Sequence, residues 1–408
     1  MERNWAGNHA YGAAVLHRPA TLEQLQEIVA RAPRLRVLGS RHSFNAIADA
    51  PELVSLDALP AEVVVDRAAR TVTFGAALRY GELAQALRRE RLALHNLASL
   101  PHISVAGAVA TATHGSGDAS GNLATAVAGL ELVLSSGAVV RASRGDPDFD
   151  GLVVGLGALG AVTRVTLDVE PDYEVRQRVF EGLGWETLYE HFDAITAAGS
   201  SVSVFTRWGS DAGALWVKSR RPVPAELLGI SAATEERHPI PGMDAANCSR
   251  QLDAPGPWYE RLPHFRMGFT PSAGAELQSE SLLPRRHAPA AIDALRGLAG
   301  AIAPLLLVCE IRTVAADRLW MSPQYGHDTV GFHFTWKPDQ PAVERVCARI
   351  EAALAPFGAR PHWGKLFVAD AAAIAPLYPR HAGFLGLVRR LDPRGAFSNA
   401  WLEEQVLG

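Results

Sequence analysis

Residues 37–44 read Val37-Leu38-Gly39-Ser40-Arg41-His42-Ser43-Phe44, a short strand that runs into a loop of small and polar side chains. Loops of this kind present backbone N–H groups to phosphate. Similar loops follow at Ser99–Gly107 and Thr113–Gly117. Their small and hydroxylated side chains suit the close approach of a large flat dinucleotide. The residues alone leave two interpretations open, a nucleotide- or phosphate-binding surface and a set of ordinary tight turns.

Length and composition restrict the class of protein. The chain has 408 residues, which at roughly 150 residues per domain allows two or three domains. Hydrophobic residues make up 48% and charged residues 20%, so a disordered or fibrous protein is excluded. The net charge is −4, from 39 Lys and Arg against 43 Asp and Glu, so the chain has no excess of positive charge that would predict binding to nucleic acid or an anionic membrane.

The cysteines and the apolar runs predict a reducing, cytoplasmic environment. Cys248, Cys309 and Cys347 are too few and too scattered for a disulfide framework or a metal site, and we expect no metal. The first residues have no basic region followed by an apolar core, so a signal peptide is not predicted. The longest apolar run, Leu152–Val162, is far shorter than the roughly 20 residues of a membrane span.

Apolar periodicity predicts a mixed α/β pattern. Thr21 and Gln24 have capping-box spacing ahead of a helix with an apolar face, and a second helix is predicted over Tyr80–Arg89. A last helix is predicted to end near Arg390. Strands are predicted at residues 35–38, 53–56, 63–65, 71–74, 130–134, 138–140 and 165–169, with a linker at 170–172.

Gly155-Leu156-Gly157-Ala158-Leu159-Gly160 matches the glycine pattern of a Rossmann dinucleotide site. That site needs a helix directly after the glycines and an acidic residue about 20 positions on. Here Thr163–Val169 follows, which alternates as a strand does. We therefore reject an NAD site and expect a glycine-rich turn beside a flat ring.

The loops and several later segments together resemble the FAD-binding domain of the vanillyl-alcohol oxidase family, and most closely its alditol (xylitol) oxidase branch. The resemblance runs from Asn4-Trp5-Ala6-Gly7-Asn8 to Phe397-Ser398-Asn399. Besides the first two loops, its specific segments are Cys309–Val314 and Arg360–Lys365. It implies an α+β fold, in which a PCMH-type FAD-binding domain of two α/β subdomains carries an inserted α+β cap domain. We expect an FAD domain at 1–172, a substrate domain at 173–372 and a C-terminal segment, 373–408, that returns to the FAD domain.

In that family the histidine of the first loop bonds covalently to the flavin, and the matching residue is His42. Many relatives have Gly directly before it, where this chain has Arg41. No cysteine lies between residues 91 and 120, so a second covalent bond is not expected. The alternative interpretation of His42 is a merely hydrogen-bonded loop histidine. The resemblance implies a set of cofactor-binding residues: Val37, Leu38, Gly39, Ser40, Arg41, His42, Ser43, Ser99, Ser104, Gly107, Thr111, Ala112, Thr113, His114, Val162 and His362.

Glu310 and Arg312 are two apart on a predicted strand, so their side chains share one face. Spacing alone leaves open a plain structural ion pair or a functional site. By resemblance, the polyol-contacting residues are Ser99, Glu310, Arg312, Thr335 and Lys365. Ala98 matches a position that gates oxygen access in related aldonolactone enzymes.

The resemblance implies an FAD-dependent oxidase that takes the C1 hydride of an alditol of the xylitol or sorbitol type to flavin N5 and reduces O2 to H2O2. Arg312 and Lys365 are the expected catalytic residues, since two cations stabilise developing alkoxide. The partners would be a polyol and O2, with no nucleic acid or membrane, and the chain a monomer. Two alternatives remain: an aldonolactone oxidase or dehydrogenase of the same fold, and a non-catalytic polyol-binding protein.

Overall fold

The computed structural model describes residues 2–268 and 276–408. Met1 and residues 269–275 fall within the predicted first and second domains and lie outside the described residues. The N-terminal part has four helices: α1 (Leu22–Arg31), α2 (Tyr80–Arg89), α3 (Val105–Ala110) and α4 (Phe149–Val153). Its strands are β1 (Val15–His17), β2 (Leu35–Val37), β3 (Glu52–Val54), β4 (Val63–Asp66), β5 (Thr71–Gly75), β6 (Leu92–Ala93), β7 (Val127–Val133), β8 (Val139–Ser143), β9 (Ala161–Asp168) and β10 (Glu170–Pro171).

These strands form two main sheets. A parallel sheet has the order β1-β3-β2, and an antiparallel sheet has the order β4-β5-β9-β7-β8. The predicted helices α1 and α2 are confirmed, and the Thr21 hydroxyl caps α1 by accepting from the Gln24 N–H. The strand predicted at 165–169 begins four residues earlier, at Ala161, because the pairing of β9 with β7 extends to the end of the glycine-rich turn. As expected, β9 follows those glycines and not a helix.

The following part of the chain is built on one large antiparallel sheet of order β16-β11-β13-β12-β18-β19-β17-β20. Helices cover one of its faces, where Ile311 and Phe332 pack with Ile292 and Val343. Its strands and helices are β11 (Glu174–Leu183), α5 (Trp185–Glu190), α6 (Phe192–Thr196), β12 (Ser201–Thr206), β13 (Gly213–Ser219), β14 (Glu226–Leu227), β15 (Ile230–Ser231), β16 (Gly256–Pro257), α7 (Trp258–Arg261), β17 (Leu277–Pro284), α8 (Ala288–Gly297), α9 (Ala299–Ile302), β18 (Leu306–Val314), β19 (Thr329–Trp336), α10 (Gln340–Leu354) and β20 (Arg360–Pro361).

The C-terminal helices α11 (Ala371–Ile374), α12 (His381–Leu391) and α13 (Ala400–Leu402) pack back on the N-terminal part. Buried Arg36 donates to the carbonyls of Leu156 (2.6 Å), Gly157 (2.8 Å) and Phe397 (2.8 Å). The Asn399 amide donates to the Asp49 carbonyl (2.7 Å). Hydrogen bonds thus join the C-terminal segment to the N-terminal part. Within residues 2–268 and 276–408, no helix combines the length and apolar composition needed to cross a bilayer.

Candidate active site

A cavity of about 590 Å³ lies between the N-terminal loops and the uncovered face of the large sheet, a size typical of ligand sites. Of the predicted site residues, all line this cavity except Ala112 and Val162. Ala112 is fully buried, with φ +51°, and Val162 is half-buried on β9. The structure therefore brings the predicted cofactor loops and the predicted polyol-contacting residues onto one surface.

The first two loops meet at Ser104. A Cβ on Gly39 would lie 2.7 Å from the Ser104 hydroxyl, and one on Gly107 would lie 2.8 Å from it. The Ser104 N–H donates to Ser40 Oγ (2.9 Å), which joins the loops. Side chains at these glycines would collide with Ser104, so the glycines let the two loops approach closely and form a cradle at the cavity wall. This cradle fits the flat, extended cofactor that the loop sequences predict.

His42 lies on the cavity wall, and its ring stacks on Trp5 with centroids 5.6 Å apart and planes 16° apart. Its buried Nδ1 makes no hydrogen bond to any residue that the structure describes. Burial lowers the pKa of His42 to about 4. At neutral pH the imidazole is therefore uncharged and keeps a nitrogen lone pair, as covalent attachment to an electrophilic carbon requires.

At the other end of the cavity the sheet presents polar side chains. Glu310 and Arg312 share one face of β18, as predicted, while Cys309 and Ile311 point to the opposite, helix-covered core. Thr335 comes from β19 and Lys365 follows β20. Ser99 lies on the facing loop, and its backbone carbonyl accepts a hydrogen bond from the His264 N–H (3.1 Å). The predicted substrate residues thus converge from separate strands and loops.

The sequence analysis missed Glu280 on β17, which binds both predicted catalytic cations. Arg312 Nε and Nη2 donate to Glu280 Oε1 (3.1 and 2.8 Å), and Lys365 Nζ donates to Oε2 (2.7 Å). Burial alone would raise the pKa of Glu280, but Arg312 and Lys365 hold it well below its usual range. Gly331 makes room for this cluster, since a Cβ there would lie 3.2 Å from Glu280 Oε1.

Glu310 is held by a second set of donors that the sequence analysis also missed. Its Oε1 accepts from Ser203 Oγ (2.7 Å) and lies 3.2 Å from His264 Nε2. Its Oε2 lies 3.4 Å from both Arg312 Nη1 and His333 Nδ1. Burial opposes ionisation, yet Arg312 keeps the pKa of Glu310 well below its usual range. Both carboxylates are therefore ionised at neutral pH.

Strand register explains why these residues meet. Glu280, His333 and Glu310 are paired partners across β17, β19 and β18, so their side chains form a row on one face. Glu280 stands among other polar residues of β17, Gln278, Ser279 and Ser281, so the strand carries no distinct local signal for it, and the pairing shows which cations it meets.

The ligand atoms of His114, Glu280 and His362 lie within 4.8 Å of one another, close enough to hold a metal ion. Arg312 and Lys365 already occupy both oxygens of Glu280. A divalent cation there would stand beside two positive charges, so the geometry favours the ion-pair network over a metal site.

Comparisons with known proteins agree with this architecture. A model described as "FAD binding domain" matches residues 13–143, and one described as "D-arabinono-1,4-lactone oxidase" matches residues 276–405. The crystal structure of cholesterol oxidase from B. sterolicum superposes with a TM-score of 0.78 at 15% identity, covering 99% of this chain and 96% of that one. At this identity the likeness shows the fold alone, and the predicted PCMH-type α+β fold is confirmed. Fold and site define an FAD-dependent oxidase.

Proteins with similar sequences indicate which family of FAD-dependent oxidases the chain belongs to. Alditol oxidase of a Streptomyces species is 51% identical over 412 residues, covering 99% of both chains. L-Gulono-1,4-lactone dehydrogenase of Mycobacterium tuberculosis is 26% identical and covers 99% of this chain and 98% of its own. The chain belongs to the alditol oxidase family.

Proposed function

We propose that this protein oxidises the terminal C1 hydroxyl of acyclic alditols, of the xylitol or sorbitol type, to the aldehyde. The observation that carries the proposal is a polar surface at one end of the cavity, formed by half-buried Ser99 and by the buried side chains of Glu310, Arg312, Thr335 and Lys365. Each offers a donor or acceptor suited to a chain of hydroxyls. The full-length similarity to an alditol oxidase supports the same substrate class.

The charge of the site supports the roles of Arg312 and Lys365. Of the basic side chains in the linked network, Arg312 and Lys365 line the cavity, whereas Lys218 does not. Their N–H groups at the cavity wall stabilise developing alkoxide on the reacting oxygen. Glu310, Ser99 and Thr335 then hold the remaining hydroxyls. FAD, when bound, supplies the hydride acceptor at N5 and passes the electrons to O2 to give H2O2.

The cofactor end of the cavity carries two further proposals. The stacked, neutral His42 is the covalent attachment point for FAD, and buried Ala98 on the cavity wall controls oxygen access.

We divide the chain into an FAD domain at 1–172, a substrate domain at 173–372 and a returning segment at 373–408. The contacts of Arg36 with Phe397 and of Asn399 with Asp49 support the return.

The test of attachment is acid precipitation of the purified protein beside His42→Ala. We expect flavin fluorescence to stay with the wild-type pellet and to be lost from the variant pellet. Flavin released from the wild-type protein would contradict covalent attachment.

The test of substrate class is peroxide release with xylitol, sorbitol and L-gulono-1,4-lactone. An aldonolactone oxidase is the second candidate, because the lactone-oxidase model matches residues 276–405. We expect kcat/KM for xylitol to exceed that for the lactone by at least about 100-fold. A site that hydrogen-bonds the hydroxyls of an open chain leaves some of its buried polar groups unpaired when a cyclic lactone binds. The opposite order would replace the proposal with the lactone activity.

A further inference from the structure

Lys218 on β13 lies behind Glu310 and is 1% exposed. Its Nζ lies 2.5 Å from the Leu262 carbonyl, 3.1 Å from the Pro263 carbonyl and 3.2 Å from His264 Nδ1. Burial lowers the pKa of Lys218 to about 7, but three acceptors around one nitrogen match the three N–H groups of an ammonium. Below that pH the side chain is an ammonium, and its N–H groups meet these acceptors.

Glu310 and Lys218 together fix the tautomer of His264. The ionised Glu310 carboxylate only accepts, so the nearby His264 Nε2 carries the proton of the neutral imidazole, and Nδ1 accepts from Lys218. That Nε2–H lies 3.2 Å from Glu310 Oε1. Phe205 and Trp216 contact the imidazole edge-to-face, with centroids 5.3 and 5.8 Å away, and restrict its rotation. His264 is therefore a fixed donor to Glu310.

This donor decides which oxygen of Glu310 remains for a ligand. Oε1 is taken by Ser203 and His264, whereas the neighbours of Oε2 are farther away, at 3.4 Å. Lys218 also fixes the segment whose His264 N–H binds the Ser99 carbonyl. One buried ammonium thus supports both Glu310 and Ser99.

We propose that Lys218 is a positioning residue for polyol recognition: it holds His264 as an Nε2–H donor and so orients Glu310 and Ser99 toward a hydroxyl beyond the reacting carbon. The inference rests on the proposed alditol oxidation. It goes beyond that function by assigning a specificity role to a residue that does not line the cavity.

The first test is the KM–kcat split of Lys218→Met, with Lys337→Met as the matched control. Lys337 is exposed and donates to the Pro304 carbonyl (2.7 Å), away from the cavity. We expect KM for xylitol to rise at least about tenfold in Lys218→Met with kcat within about threefold, because the lost orientation weakens ground state and transition state alike. The inhibition constant of propan-1-ol, which has no hydroxyl beyond C1, should change less than about threefold.

The second test is the pH dependence of KM for xylitol. The charged and titratable groups that face His264 are Lys218 from β13 and Glu310 and Arg312 from β18. Burial, and then Lys218, lower the pKa of His264 to about 4. Without Lys218 that pKa rises, so KM of Lys218→Met should vary between about pH 5 and 6, where wild-type Lys218, with a pKa of about 7, stays protonated and the wild-type KM is flat. A purely structural substitution would not create this titration.

A pair of variants tests the donor independently of Lys218. His264→Gln keeps a side-chain N–H that can reach Glu310, whereas His264→Leu does not. We expect KM for xylitol to be at least about fivefold higher in His264→Leu than in His264→Gln. Equal values in the pair, or a wild-type KM in flavin-loaded Lys218→Met, would overturn the inference. A wild-type enzyme that oxidises no alditol would instead overturn the proposed function.

Discussion

Glu280 is the residue on which the charge of the site depends. It is 2% exposed and holds Arg312 and Lys365 on its two oxygens. Removing one partner of a buried ion pair leaves an uncompensated charge that costs about 3–5 kcal/mol. Glu280 is therefore more than a structural acceptor, because it sets how firmly the two proposed catalytic cations keep their protons and positions.

We predict that Glu280→Gln lowers the free energy of unfolding by about 3–5 kcal/mol and lowers kcat at alkaline pH more than at neutral pH. Burial lowers the pKa of Lys365, and Glu280 opposes that effect. Without the carboxylate Lys365 loses its proton at a lower pH, so activity falls earlier as pH rises. The measurements are denaturant unfolding and a kcat–pH profile, with exposed Glu27→Gln as the control. An unchanged profile would contradict the role given to Glu280.

At the scale of elements, the loop after β2 shows a conformation that favours glycine. Arg41 has φ +63°, in the left-handed region, and its Nε pairs with Glu2 Oε1 (2.8 Å). An L-residue there costs about 1–2 kcal/mol, and a β-branched residue costs more. The left-handed backbone therefore favours glycine at position 41, and the ion pair with Glu2 helps arginine to occupy it.

We predict that Arg41→Gly keeps the flavin attached and changes stability by less than about 1 kcal/mol, since relief of strain offsets a partly exposed ion pair. Arg41→Val should lower both the thermal midpoint and the flavin retained after acid precipitation. Equal retention in the two variants would show that the backbone at Arg41 does not control the geometry of His42.

Local sequence patterns were sufficient for some elements and insufficient for the network. Amphipathic spacing predicted α2 over Tyr80–Arg89. Because Glu310 and Arg312 are two residues apart on a strand, the sequence also predicted that their side chains share one face. Glu280, Lys218 and His264 could not be placed, because their contacts depend on sheet order and register across distant segments. No local period encodes which strands are neighbours, and the site is made mostly of such long-range pairs.

At the scale of the whole molecule, buried ionisable groups connect stability to pH. Burial lowers the pKa of both His264 and His333 to about 4, from an ordinary value of 6.5. Below pH 6.5 these two histidines are therefore protonated in the unfolded chain but stay neutral in the folded chain. The contribution of these histidines to the free energy of unfolding is therefore fully present above pH 6.5 and decreases as the pH falls toward 4.

We predict that the free energy of unfolding falls between pH 6.5 and 4 by about 1.4 kcal/mol per pH unit for each such histidine. Glu280 and Glu310, with lowered pKa values, add a further loss below about pH 4.5. Urea unfolding at several pH values measures this slope, and a midpoint unchanged between about pH 7.5 and 5 would contradict it.

The bonds from Arg36 to Phe397 and from Asn399 to Asp49 also govern the order of events during synthesis. A nascent chain cannot form them until residues 396–399 have left the ribosome, although β1–β3 emerge early. The cradle at Gly39 follows β2 directly, and Leu35 at the start of that strand donates to the Ala396 carbonyl (2.7 Å). We therefore expect the cofactor to be acquired only after residues 396–399 have emerged.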